Sequence, residues 1–201
     1  MKLPQFPVEG GCQCGAVRYR LKGPPLVVYA CHCKDCQRFS GATHTLSMFA
    51  KAGDVELISG ELRGYDKAAD SGRTVRMLGC PECGTKVWNE PLSFAGILVM
   101  RPGTLDDASW ARPVGNIWTD RALPWVEIDW SQPNFPGQPS DRAAAVRRLC
   151  GGDCQGLMAS LMSALGHVWT APWQELSDVA AALVGCGHVS GLLMRRMCRW
   201  P

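Results

Sequence analysis

A chain of 201 residues is long enough for one sizeable hydrophobic core and a small second unit. Its 21 Lys and Arg against 18 Asp and Glu leave a formal charge of +3, spread without basic runs, which argues against nucleic acid as a partner. The start, Met1-Lys2-Leu3-Pro4-Gln5-Phe6-Pro7, lacks the apolar stretch of a secretory signal, and no apolar run reaches the roughly 18 residues of a spanning helix, so the expected setting is soluble, reducing and cytoplasmic, without membrane contact.

In chain order the first elements read as strands. Residues 16–21 alternate apolar and polar in period two before Gly23-Pro24-Pro25 stops them. Residues 26–30 form a β-branched run that delivers the chain into Cys31. Residues 43–49, 55–58, 62–65 and 74–78 have strand character, separated by Gly53-Asp54, Ser59-Gly60 and Asp70-Ser71-Gly72. The pattern resumes at 86–88, 97–100, 116–119 and 125–128. Short strands with frequent turn signals predict a mainly β protein and favour a sandwich or folded sheets over a βαβ arrangement. Trp110, Trp118, Trp125 and Trp130 are expected in the core or a pocket wall.

Around Gln132-Pro133-Asn134-Phe135-Pro136-Gly137-Gln138-Pro139 the prolines end the β region. A domain boundary is placed there, dividing residues 1–138 from a C-terminal helical extension, 139–201. Helices are expected over 142–149, with Ser140 or Asp141 as cap, and over 157–165, 172–184 and 189–197. Cys150, Cys154, Cys186 and Cys198 repeat no ligand spacing and read as buried or free thiols. Residues 176–197 also show a faint helix-turn-helix pattern, for which an amphipathic hairpin is the simpler reading.

Eleven cysteines organise the rest. Seven fall within the first 83 residues: Cys12 and Cys14, then Cys31, Cys33 and Cys36, then Cys80 and Cys83. Pairs this close gain little from a disulfide, because the loop closed is so short, and a reducing setting favours a thiophilic metal, with zinc the default for an all-sulfur site. Cys80-Pro81-Glu82-Cys83-Gly84-Thr85 has the form of a zinc knuckle. Spacing alone also allows Cys33 and Cys36 to join Cys80 and Cys83 as a zinc ribbon, leaving Cys12, Cys14 and Cys31 aside.

The motifs Gly10-Gly11-Cys12-Gln13-Cys14-Gly15-Ala16-Val17-Arg18-Tyr19, Cys31-His32-Cys33-Lys34-Asp35-Cys36-Gln37-Arg38-Phe39-Ser40-Gly41-Ala42 and Cys80-Pro81-Glu82-Cys83-Gly84-Thr85 closely resemble the glutathione-dependent formaldehyde-activating enzyme family, also called the GFA or CENP-V domain family. Ile117-Trp118-Thr119 and Leu123-Pro124-Trp125 look like its later strands, and the resemblance spans roughly residues 8–138. It implies an Mss4-like fold of antiparallel sheets around two zinc ions. It further implies that Cys12, Cys14, Cys80 and Cys83 form a closed structural site, and Cys31, Cys33 and Cys36 an open one.

Three thiolates leave one position of a tetrahedral zinc vacant, and a fourth thiol is its best guest. The activity implied is that of a carbon–sulfur lyase, an S-hydroxymethylglutathione synthase-like enzyme. Glutathione would be held as a thiolate at Cys31, Cys33 and Cys36 and joined to a small aldehyde. Around the open site, His32 is expected beyond the ligands or at the surface, and His44 is an alternative fourth ligand that would make both sites structural. Lys34, Arg38 and Lys51 are candidates for the glutathione carboxylates, or a solvated face. Asp35 is a candidate proton acceptor, or an exposed carboxylate. The competing function is a zinc-stabilised binding module whose surface or helical tail recognises a partner, and the sequence allows a homodimer.

Overall fold

The computed structural model describes residues 3–69 and 72–139. The helices expected beyond Pro139, the helix-turn-helix pattern and Cys150, Cys154, Cys186 and Cys198 lie outside the described residues.

Period-two alternation does form the first sheet. Strand β2 (Arg18–Leu21) lies between β1 (Val8–Gly11) and β5 (Val55–Ser59), antiparallel to both. Tyr19 and Leu21 point inward and are fully buried. Arg18 and Arg20 point outward, Arg18 gripping Asp106 at 2.8 and 2.5 Å and Arg20 donating to Glu9 at 3.1 and 2.7 Å. Gly10 in β1 is required by close approach, since a Cβ there would stand 2.4 Å from the Thr104 carbonyl oxygen and 2.5 Å from the Tyr19 hydroxyl.

The second sheet takes β3 (Val27–Cys31), β4 (Thr45–Lys51), β6 (Arg63–Ala68), β7 (Thr74–Gly79), β8 (Lys86–Pro91), β9 (Ile97–Met100), β10 (Asn116–Ile117) and β11 (Asn134–Phe135). Their order across the sheet is β11-β10-β3-β4-β9-β8-β7-β6. The expectation of purely antiparallel sheets is corrected here: β10 runs parallel to both β3 and β11, so this sheet is mixed. Parallel neighbours need a connection of about a dozen residues or more, and the loop from Ile117 round to Asn134 supplies one.

The core lies where the sheets meet. Tyr19 and Leu21 of the first pack with Met48, Ala50, Val87, Trp88, Leu98 and Met100 of the second. Tyr19 meets Trp88 edge to face, 5.9 Å between centroids, and its hydroxyl bonds Thr104 Oγ1 at 2.8 Å. A smaller cluster of Tyr29, Cys31 and Ile117, flanked by Phe49, Trp118 and Phe135, packs near the other thiols.

Two local expectations fail. Residues 125–128 alternate but form no strand, and Trp125 and Trp130 are 69% and 74% exposed rather than core. Trp110 is buried against Phe6 as expected. After Cys33 the chain turns into a short helix, α1 (Lys34–Ser40), which the sequence reading did not assign. Among the described residues no helix is long and apolar enough to cross a membrane.

Candidate metal centres

All seven cysteines of the three motifs are free thiols, and they gather into two groups. Cys12, Cys14, Cys80 and Cys83 form one, and Cys31, Cys33 and Cys36 the other; within each group all sulfurs lie within 4.8 Å of one another. The zinc-ribbon pairing that spacing allows does not occur.

Two tight turns build the four-thiol group. After β1 the chain reverses at Cys12–Val17, where the Cys12 N–H donates to the Val17 carbonyl at 3.0 Å and Gly15 takes a φ of +81°. The hairpin between β7 and β8 closes through the Cys80 N–H on the Thr85 carbonyl at 2.9 Å, with Gly84 at φ +72°. Cys14 Sγ stands 3.4 Å from Cys12 Sγ and 3.8 Å from Cys80 Sγ. The Val17 N–H points at Cys12 Sγ from 3.2 Å and holds that thiol below its usual range. The Thr85 hydroxyl, 3.1 Å from Cys83 Sγ, and the Thr85 N–H draw Cys83 down to about 5. N–H groups aimed at sulfur favour the thiolate, which is the ligand form.

The three-thiol group sits where β3 runs into α1. Cys31 ends the strand, 5% exposed. Cys33 caps the helix, its Sγ accepting the Cys36 N–H at 3.4 Å, and Cys36 follows in the first turn. Gly41 ends the helix at φ +66°, donating to the Gln37 carbonyl at 2.9 Å. The Gln37 amide fixes the helix in place, donating to the His32 carbonyl at 2.6 Å and the Arg121 carbonyl at 2.8 Å. Crowding dictates the protonation of these thiols. Hydrogen bonds from Cys31 and Cys33 lower Cys36 strongly, with the positive charge of Arg101 adding to them, while Cys33, Cys36 and burial push Cys31 well up. A divalent cation is the group that lets all three ionise, and an all-sulfur donor set suits zinc.

The three-thiol group opens onto a cavity of about 440 Å³, whose lining includes Cys31, Cys33 and Cys36 but none of the other four motif cysteines. Phe39, Phe49, Phe94 and Trp118 give it apolar walls. Trp118 holds φ +60°, the one non-glycine residue with positive φ among the described residues, which a bulky side chain adopts at a cost.

The remaining candidates separate. Asp35 and Arg38 line the cavity; Lys34 and Lys51 do not. Lys34 instead bonds Gln37 at 3.1 Å. Asp35 is ion-paired with Lys67 of β6, which also lines the cavity, so its carboxylate is committed rather than free to act as a base. His32 is not at the surface: it is 2% exposed and its Nε2 bonds Asn116 Oδ1 at 3.0 Å. His44 stacks on His32 with centroids 5.0 Å apart, bonds Thr43 through Nδ1 at 2.9 Å, and is not part of the thiol group.

Sequence reasoning passed over Arg101. It follows β9 directly, is 8% exposed, lines the cavity and interacts electrostatically with Cys36, Cys31 and Cys33. Nη1 donates to Ser47 Oγ at 3.2 Å and to Thr45 Oγ1 and the Leu46 carbonyl at 3.3 Å each. With the Asn89 amide turned so that Oδ1 faces the guanidinium, Nη2 donates to it at 2.5 Å. The guanidinium also lies over the Phe39 ring, 5.0 Å from its centroid. A charge placed immediately after the apolar run 97–100 was the one available signal for it.

Comparison with known proteins agrees with these motifs. A search of curated proteins returns no match. Among solved structures, a crystal structure of a Rhodobacter sphaeroides protein aligns at 20% identity and a TM-score of 0.40, covering 49% of this chain and 87% of that one. The family model described as glutathione-dependent formaldehyde-activating enzyme matches residues 7–121. That stretch is more than half of the chain and contains all seven clustered cysteines, so the chain belongs to the glutathione-dependent formaldehyde-activating enzyme family.

Proposed function

We propose that the protein is a zinc-dependent carbon–sulfur lyase that joins a thiol such as glutathione to a small aldehyde and runs the reverse cleavage. The observation that carries this reading is the difference between the two thiol groups. Four sulfurs saturate a tetrahedral ion, as in structural sites, whereas three sulfurs beside a cavity leave room for a substrate ligand. A zinc ion held by Cys31, Cys33 and Cys36 supplies the positive charge that keeps a substrate thiol ionised near neutral pH.

The chain's own residues do the rest. Phe39, Phe49 and Trp118 exclude water from the sulfur's surroundings. Arg38, Lys67 and Arg73 line the wall and are suited to the carboxylates of glutathione. In the forward direction the thiol sulfur forms a bond to the carbonyl carbon, the carbonyl π bond breaks, and the proton lost by sulfur ends on the carbonyl oxygen. The product is an S-hydroxymethyl adduct, and no other reactant is consumed. A reducing, cytoplasmic setting goes with this reading, because all seven thiols must stay reduced. We assign it to a β domain of residues 1–138.

Zinc content and zinc-edge absorption test it. Two zinc ions per chain are expected in the wild type and one in Cys33→Ser, with one further sulfur neighbour appearing in the wild-type spectrum when glutathione is added. Two sites blind to glutathione would instead make the protein a zinc-stabilised binding module.

A further inference from the structure

Arg101 presents a problem that the ligands alone do not solve. Taking a guanidinium out of water costs several kcal/mol unless an anion answers it, and among the described residues no carboxylate pairs with Arg101. Its hydrogen-bond partners are neutral: Thr45, the Leu46 carbonyl, Ser47 and Asn89. Its Nε–H has no acceptor at all. The anionic groups it acts on are the thiols of Cys36, Cys31 and Cys33.

Charge counting then gives Arg101 a task. Three thiolates around a divalent ion carry one net negative charge, which repels an incoming thiolate and favours a neutral guest such as imidazole or water. One buried positive charge beside them brings the site to neutrality. We propose that Arg101 is a positioning residue that makes the three-thiol site accept an anionic sulfur ligand, by cancelling the net charge of the loaded site through space. Four neutral partners and the Phe39 ring hold the guanidinium in place without spending its charge. A carboxylate partner in the same position would have neutralised it and left the site anionic.

This rests on the reading of Cys31, Cys33 and Cys36 as an open metal site, and the experiment separates the two claims. Cobalt(II) replaces zinc in the full-length protein, and the visible absorption of the metal is titrated with 2-mercaptoethanol and, separately, with imidazole. 2-Mercaptoethanol carries no carboxylate, so Lys67, Arg73 and Arg38 drop out of the comparison. The wild type should bind the thiol more tightly than imidazole. In Arg101→Gln thiol affinity should fall about tenfold or more, as expected for a unit charge at short range in a partly buried site, while imidazole affinity holds within about twofold. Arg101→Lys, which keeps the charge, should restore most of the thiol affinity. Ser47→Asp keeps the guanidinium but gives it a carboxylate, and should reproduce the Arg101→Gln pattern.

A purely structural role for Arg101 would weaken both ligands together, and that outcome overturns the proposal. So does a wild type that prefers imidazole, whether or not any variant folds. A wild type whose spectrum answers to neither ligand overturns the open site itself, and the proposal with it.

Discussion

Tyr19 is the polar group most deeply committed to the core. Burial, only partly offset by its hydrogen bond to Thr104, pushes its phenol up to about 12. A group whose folded value lies above its unfolded value of about 10 contributes its full stability below pH 10 and loses it as pH rises through 12. Two units correspond to about 2–3 kcal/mol. Urea unfolding of wild type and Tyr19→Phe between pH 9 and 12 isolates this effect, because lysine and cysteine titrations are common to both. Wild-type stability should fall relative to the variant by about that amount, and parallel curves would show the phenol to be less buried than described. At this scale the sequence was legible where chemistry is crowded. Seven cysteines in three short motifs announced themselves by spacing, and the structure gathers all seven. Arg101 did not, because a single arginine after a strand has no spacing partner; its meaning comes only from β4 and β8 folding against it.

Strands with a clear run or alternation of side chains were read, whereas β1, half of it glycine, was not. In β2 the alternation of Arg18, Tyr19, Arg20 and Leu21 matches the pleat. The period misleads at residues 125–128, which alternate but have no neighbouring strand to pair with. Strand β11 is only two residues long and hides between prolines, so it offers no pattern to count, whereas the strand read at 116–119 does contain β10. Helix α1 escaped notice for a different reason: none of its residues is buried, so no 3.6-residue apolar stripe marks it. It is held instead by the Cys33 cap and by Gln37, whose one amide group reaches the carbonyls of His32 and Arg121. Two of the three open-site ligands ride on that helix start. Gln37→Ala should therefore weaken metal retention by Cys31, Cys33 and Cys36 by up to about thirtyfold in a chelator competition, through loss of two hydrogen bonds worth about 1 kcal/mol each. The four-thiol group should hold its metal unchanged, and equal weakening at both would assign Gln37 to global stability instead.

At the level of the whole molecule, the two sheets are joined in two ways. Apolar packing of Tyr19 and Leu21 against Trp88 and Met100 joins them through the core. The four-thiol group joins them at the rim, bringing the turn after β1 to the hairpin between β7 and β8. The second link was implied by the family resemblance, which pairs Cys12 and Cys14 with Cys80 and Cys83; the packing partners of the first were not visible in the sequence. Cys14 and Cys80 lie 66 positions apart, and Cys31, Cys33 and Cys36 fall between them. This nesting governs the order of assembly. A chain growing from its N-terminus presents five thiols, Cys12, Cys14, Cys31, Cys33 and Cys36, before Cys80 and Cys83 exist. Any four of the five can surround one ion, and the loops they close are far shorter than the native one, so they form sooner. Early metal should therefore act as a trap, a saturated misassembly that must give up its ion before the sheets can meet. Zinc added to the unfolded, reduced chain before denaturant is withdrawn should yield less of the two-zinc protein than zinc added afterwards. Equal yields would mean that the sheets come together before the metal chooses its ligands.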